Sequence, residues 1–321
     1  MRCETRLYMK RRFLSLSVLF VLLCFCFSLS GCEQAATFLD LLPGSASVSE
    51  NTDTAVSDVP ESSGDLLEIY VIDCGQGDSI FLSLPDETTM LIDGSTQSEA
   101  EAVLDFLDAL DVRRLDYVVA THPHEDHIGG LDDCIEALEV GEVYMPDVVN
   151  TTQAFENLLS VIEEKNLAVT VPAGGEYLIG HAASDFSIQC LAPNQAEYDE
   201  LNDYSIVLRI VYGERAVLLT GDAETVSENE MLMAGYDLSA DVVKLGHHGS
   251  STSSSEPFLR AVFPSYAVIS CGADNSYGHP HQETLDLLSR FGISPFRTDT
   301  DGTVLIATDG IELTVRALGK P

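Results

Sequence analysis

Seven of the eight histidines in this 321-residue chain fall in three short stretches: "THPHEDHIGG" (121–130), "KLGHHGSSTS" (244–253) and "SCGADNSYGHPHQ" (270–282). Each follows a run of β-branched residues, and only His181 lies elsewhere. A fourth run ends on an aspartate, in "LLTGDAE" (218–224). Donors gathered at strand ends constrain the fold, because those ends must carry the chemistry. His122 and His124 are two apart on an extended segment, so both point to one side and can grip one metal ion. Asp126 and His127 follow at a helix start and reach a second ion. Imidazole with carboxylate suits zinc, manganese or iron. Gly129-Gly130 removes side chains where the backbone must pass close to the site. Asp222 is either the N-cap of the next helix or a carboxylate that bridges two metals.

The rest of the pattern is strands and helices in alternation. "LLEIYVID" (66–73), "DSIFLSL" (78–84) and "TTMLID" (88–93) predict an antiparallel meander, followed by a helix over 98–110 and a buried strand, "LDYVVAT" (115–121). From Asp126 onward, Ile128, Leu131, Ile135 and Leu138 recur at helical spacing. Strands "VGEVYMP", "LAVTVPA" and "FSIQCLAP" follow, with a helix over 151–164, then the pair "YSIVLRIVYG" and "ERAVLLTGD". The last third alternates helices over 224–234, 255–262 and 282–290 with strands "DVVKLGHHG" and "YAVISCG", and closes with strands over 303–307 and 311–317. Two β-rich halves with helices outside predict an α/β fold, a four-layer αββα sandwich.

Before this domain, Lys10-Arg11-Arg12 precedes an apolar run from Phe13 to Leu29 and then "LSGC" ending at Cys32, which is a secretory signal. The run falls short of the about 20 residues of a spanning helix. The predicted organisation is a lipoprotein signal peptide over 1–31, a disordered acidic tether over 32–64 and a hydrolase domain over 65–321. Five of the 16 basic residues and one of the 52 acidic residues precede Cys32, so the part after the signal carries 11 against 51, a net charge of −40. Such a surface repels long phosphate polyanions. Cys74, Cys134, Cys190 and Cys271 are widely spaced with no CxxC pair, which argues against a cysteine-based zinc site; they are expected as buried free thiols.

The residues over roughly 66–318 resemble the metallo-β-lactamase fold hydrolases and, within them, the nuclease-like domain of the ComEC competence proteins and its secreted stand-alone relatives. The resemblance rests on "VIDCGQGDSIFLSLPDETTMLIDGS", HxHxDHxGG, "NDYSIVLRIVYGERAVLLTGDAE", "VVKLGHHGSSTSS", "ISCGADNSYGHP" and "RTDTDG". It implies that His122 and His124 bind one metal, that Asp126 and His127 bind the other, and that Asp222 bridges. It also implies His279 as the last ligand of the second metal, and places in "HHGS" a residue that touches metal or scissile group, His248 ahead of His247. Many members place a further first-metal histidine before the bridging aspartate. In this chain only His181 stands in that region, with Asn202 and Asp203 as oxygen alternatives. Asp78 is either structural or a support behind the ligands.

The implied cofactors are two divalent ions, zinc or manganese, and the implied reaction is hydrolysis by water activated between them, with Asp126, His248 and His247 as the catalytic set. A phosphodiesterase or nuclease follows from the resemblance. A hydrolase of cell-envelope esters or β-lactams follows from the anchor and the charge, and a non-catalytic binding module would have shown a lost ligand. The expected partners are the membrane, through lipidated Cys32, and a small or short phosphodiester, with no stable long nucleic-acid complex. The expected state is a monomer on the extracellular face of the cell membrane.

Overall fold

The computed structural model describes residues 66–320, so the signal segment, the tether and Cys32 lie outside the described residues. The chain opens with β1 (Leu67–Val71), β2 (Ile80–Ser83) and β3 (Thr89–Ile92), then crosses by α1 (Ala100–Ala109) to β4 (Arg114–Val119). α2 (Glu125–Ile128) and α3 (Leu131–Ala137) lead to β5 (Glu139–Tyr144), and α4 (Gln153–Glu164) leads to β6 (Ala168–Thr170). The second half begins with β7 (Tyr177–Ile179), β8 (Phe186–Ala192), β9 (Val207–Tyr212) and β10 (Arg215–Leu219). It continues through α5 (Thr225–Ala234), β11 (Val242–Lys244), α6 (Glu256–Val262), β12 (Tyr266–Ile269), α7 (Gln282–Phe291) and β13 (Ser294–Arg297). A short α8 (Thr298–Asp301) then leads into the hairpin of β14 (Val304–Thr308) and β15 (Leu313–Ala317).

The strands form an eight-stranded sheet, β15-β14-β1-β2-β3-β4-β5-β6, and a seven-stranded sheet, β13-β12-β11-β10-β9-β8-β7. In each sheet the pairing changes from antiparallel to parallel partway across, at β3 in the first and at β10 in the second. The last hairpin returns to the first sheet, where β14 pairs with β1.

β1 shows why the strands read as continuous apolar runs. Leu67, Ile69 and Val71 enter the layer between the sheets, while Tyr70 and Ile72 pack under α1, α3 and α4. A strand buried on both faces has no polar side to alternate with. A third cluster, including Met231, Phe258, Leu259 and Leu288, joins α5, α6 and α7 to the outer face of the second sheet. The order is therefore helix, sheet, sheet, helix: the four-layer αββα sandwich. Cys74, Cys134, Cys190 and Cys271 are buried free thiols. Among the described residues no helix is long and apolar enough to cross a membrane.

The helix expected from Asp126 through Leu138 is broken in two. A Cβ at Gly129 would lie 2.5 Å from the Glu125 carbonyl oxygen and 2.6 Å from the Gln97 nitrogen, and one at Gly130 2.5 Å from the Gly94 oxygen. The glycine pair lets residues 94–97 cross directly on the backbone. The His127 carbonyl then accepts from Gly94 N–H at 2.7 Å, and Gly130 N–H donates to Ser95 O at 3.1 Å, so neighbours replace the bonds a continuous helix would make.

Candidate metal centre

The donors lie just beyond the carboxyl ends of β3, β4, β10, β11 and β12, where open parallel sheets place their ligands. Asp93 follows β3, Thr121 and His122 follow β4, Asp222 follows β10, and His247 and His248 follow β11. His124 is the N-cap of α2, with extended backbone, which sends Asp126 and His127 into the site from the first turn.

Four ligand atoms converge. His127 Nε2 lies 3.2 Å from Asp222 Oδ2, and His248 Nε2 lies 3.5 Å from the same oxygen and 3.3 Å from Asp126 Oδ2. Beside them, His122 Nε2 faces His124 Nδ1 at 3.0 Å, and His122 joins His127 and Asp222 with ligand atoms within 4.8 Å of one another.

The chemistry of this donor set fits divalent cations. His127 Nε2, His248 Nε2 and Asp222 Oδ1 are buried without a hydrogen-bond partner, while the opposite ring nitrogens are held: His127 Nδ1 by Asp93 Oδ2 at 2.8 Å and His248 Nδ1 by Ser270 O at 2.9 Å. That is how metal-binding histidines are usually oriented, with the other ring nitrogen on a carboxylate or carbonyl. Asp78, Asp93, Asp126 and Asp222 set four carboxylates against one ammonium, that of Lys244. Negative charge in such excess draws in positive charge, as protons on His127 and His248 or as bound cations. The same imbalance sets the proton affinities. Burial pulls His127 down, but Asp222 and Asp93 outweigh it and hold its pKa well above the ordinary value. Burial, reinforced by His127, pushes His122 well below. For Asp222, burial is overcome by His127, His248 and Lys244, which keep it ionised.

The other predicted residues divide. His279 lies outside the converging set: its ring stacks 6.1 Å from that of His248 and 5.7 Å from that of Tyr277. Burial and the neighbouring imidazoles push it down to about 4, so it is neutral at pH 7. His181 is exposed in the turn after β7, where its Nδ1 accepts from Ala183 N–H. Asp203 accepts from the backbone of Glu224 and Ser227 at the start of α5. Asn202 donates to Glu224 Oε1 at 3.0 Å. His247 Nε2 lies 4.0 Å from Asp222 Oδ2.

Three supporting residues were not assigned from sequence. Asp93 holds His127 and also accepts from Thr121 N–H and Oγ1 at 2.8 and 2.7 Å. Lys244 is fully buried, contacts Asp78 Oδ2 and donates to Gly221 O at 2.9 Å. Glu224 binds His247 Nδ1 at 3.0 Å. Asp93, in "LIDGS" at a strand end, carried a visible signal; Lys244 and Glu224 gain their roles only through partners remote in sequence.

The chain is similar to known proteins in sequence and in fold. ComE operon protein 3 of Bacillus subtilis is 33% identical over 254 residues, covering 74% of this chain and 32% of that protein. Competence protein ComA of Neisseria gonorrhoeae is 31% identical over 247 residues, covering 77% of this chain and 32% of that protein. The chain thus spans about a third of the length of these relatives. Among solved structures, the metallo-beta-lactamase fold protein YhfI from Bacillus subtilis superposes with a TM-score of 0.51 at 15% identity, covering 76% of this chain and all of that one. The model of the Metallo-beta-lactamase superfamily matches residues 72–273. With its donors at the strand ends of a matching four-layer fold, the chain belongs to the metallo-beta-lactamase superfamily.

Proposed function

We propose that this chain is a dimetal hydrolase of small or short phosphodiesters, exported and held to the outer face of the cell membrane through lipidated Cys32. The observation that carries the hydrolytic part is the convergence of Asp126, His127, Asp222 and His248 on one point, with buried donor atoms left open to it. His122 and His124 form a second point beside it. Divalent ions at these points, zinc or manganese, supply Lewis acidity and an activated water.

The protein's own residues do the rest. Asp93 fixes the His127 ring, and the Ser270 carbonyl fixes that of His248, so neither reorients as charge develops. Asp126 has a partly open side chain, which places it between the buried centre and incoming substrate. His279, neutral and next to exposed Tyr277, lines the same approach and can donate one hydrogen bond to a substrate oxygen.

Phosphodiesters are favoured because His-and-carboxylate dimetal sites suit in-line displacement at phosphorus. The net charge of −40 after the signal segment, with 11 basic residues, opposes tracking along a long nucleic acid. The chain acts on this reading as a monomer. The lipid anchor and acidic surface favour a second reading, hydrolysis of cell-envelope esters or β-lactams. The test is the metal-loaded protein with bis-p-nitrophenyl phosphate, single-stranded DNA and a chromogenic β-lactam across a salt series. The expected result is phosphodiester turnover with little salt dependence, small substrates being cut at least as well as DNA. Far faster turnover of the β-lactam or of a carboxylic ester would overturn the substrate assignment.

A further inference from the structure

The first metal point has two imidazoles, His122 and His124, and lacks an obvious third. The second point already has Asp126, His127, His248 and the shared Asp222. His181 and Asp203 are engaged elsewhere, in a surface turn and at the start of α5. Asn202 gives its Nδ2 to Glu224 and keeps a buried, unpartnered Oδ1, so it offers an amide oxygen; the one imidazole left beside Asp222 among the described residues is His247.

Its geometry is that of a held ligand. His247 Nε2 points at Asp222 Oδ2 from 4.0 Å, the oxygen that His127 and His248 also face. Two donors on one tetrahedral ion, each about 2.0–2.1 Å from it, lie about 3.4 Å apart. An ion on Asp222 Oδ2 is therefore within reach of His247 after a shift of less than about 1 Å. The other ring nitrogen is held: His247 Nδ1 lies 3.0 Å from Glu224 Oε1 and 3.2 Å from Thr252 Oγ1. Asn202 Nδ2 and Thr252 Oγ1 both donate to Glu224 Oε1 at 3.0 Å, fixing the carboxylate in turn. A carboxylate on Nδ1 keeps the proton there and leaves the Nε2 lone pair toward Asp222. Consecutive left-handed residues, His247 at φ 48° and His248 at φ 54°, send the two rings of "HHGS" to different partners: the second to Asp126 and Ser270, the first to Glu224. Non-glycine residues adopt that region at a cost, and such strain gathers at functional sites.

We propose that His247 is the third protein nitrogen of the first divalent metal and that Glu224 is its positioning residue, an assignment that rests on the dimetal reading above. The donor set of that ion is then His122, His124, His247 and Asp222, which selects a transition-metal cation.

Metal-free protein from Cys32 onward is titrated with cobalt(II), followed by visible absorption and by metal content after gel filtration. Wild type is expected to take up two equivalents. His247→Asn keeps a residue that tolerates the left-handed backbone; it is expected to bind one equivalent as wild type does and to lose the other or bind it at least about 10-fold more weakly. Glu224→Gln is expected to weaken the same equivalent by about 10- to 100-fold, and Glu224→Asp to recover part of the loss. Two equivalents of unchanged affinity and spectrum in His247→Asn overturn this inference and leave the dimetal reading standing. Failure of wild type to bind cobalt overturns both.

Discussion

Lys244 is a buried ammonium whose removal has a cost the structure sets. Its side chain is 0% exposed, and that of Asp78, its ion-pair partner, 1%. Its Nζ also donates to Gly221 O at 2.9 Å and lies 3.9 Å from Asp222 Oδ1. Lys244→Met keeps an unbranched apolar stem and removes the charge, leaving the buried Asp78 carboxylate without its closest cation and with only the His248 and His127 rings, 3.6 and 3.9 Å away, beside it. Breaking one side of a buried pair costs about 3–5 kcal/mol, because the partner cannot return to water. That is a large share of the about 5–15 kcal/mol that holds a domain together. At about 2–4 °C per kcal/mol, the melting temperature should fall by about 6–20 °C. Urea denaturation in the presence of a chelator removes the contribution of bound metal. Asp78→Asn should also destabilise, and the double variant should be better than the sum of the singles by about 1–3 kcal/mol. A Lys244→Met protein within about 1 kcal/mol of wild type, or strict additivity with Asp78→Asn, would refute this reasoning.

Three further outcomes are expected. Glu228 is 2% exposed and accepts from the backbone N–H groups of Ser254 and Ser255; burial outweighs those bonds and raises its pKa above the ordinary 4.5. The folded state thus holds this proton more tightly than the unfolded state. Its contribution is greatest below pH 4.5 and fades as pH rises through the raised value. In chelator, the cost of Glu228→Ala should therefore shrink from pH 4.5 toward pH 7 by urea denaturation, and a cost that grows over that window contradicts the assignment. Asp126→Ala should bring turnover to background while moving the melting temperature by only about 4 °C, since a partly open side chain in the first turn of α2 contributes about 1 kcal/mol or less. Cys32→Ser should release the protein from membranes into the medium; unchanged fractionation would contradict lipid attachment.

The sequence and the structure agree where a residue's neighbours in the chain decide its role. His122 and His124 meet in the short segment between β4 and α2, two residues apart, and Asp126 and His127 enter through the first turn of α2. The two sheets follow from apolar runs buried on both faces, as in β1. Edge elements were less legible. β7 is three half-buried residues at one edge of the second sheet. β13, at the other edge, reads Ser-Pro-Phe-Arg, and a strand with proline is recognisable only once its edge position is known. Gly129-Gly130 was visible as a close approach, but what approaches is residues 94–97, and the helix breaks there. His248 and His279 both follow strands and both precede small or rigid residues. Only the left-handed backbone at 247–248 brings His248 to Asp126 and Asp222 while His279 stacks outside. Lys244 sits in "VVKL", an apolar run, and its partner Asp78 comes from the other sheet's first loop, a pairing that no local pattern encodes.

Diffraction from crystals of the zinc- or manganese-loaded protein at the metal's absorption edge bears most directly on the centre. The account predicts two anomalous peaks about 3.5–4 Å apart. One should lie within bonding distance of Asp126, His127, Asp222 and His248, the other within bonding distance of His122 and His124. No peak among these side chains under saturating metal, or a peak only at some other place on the molecule, would contradict it.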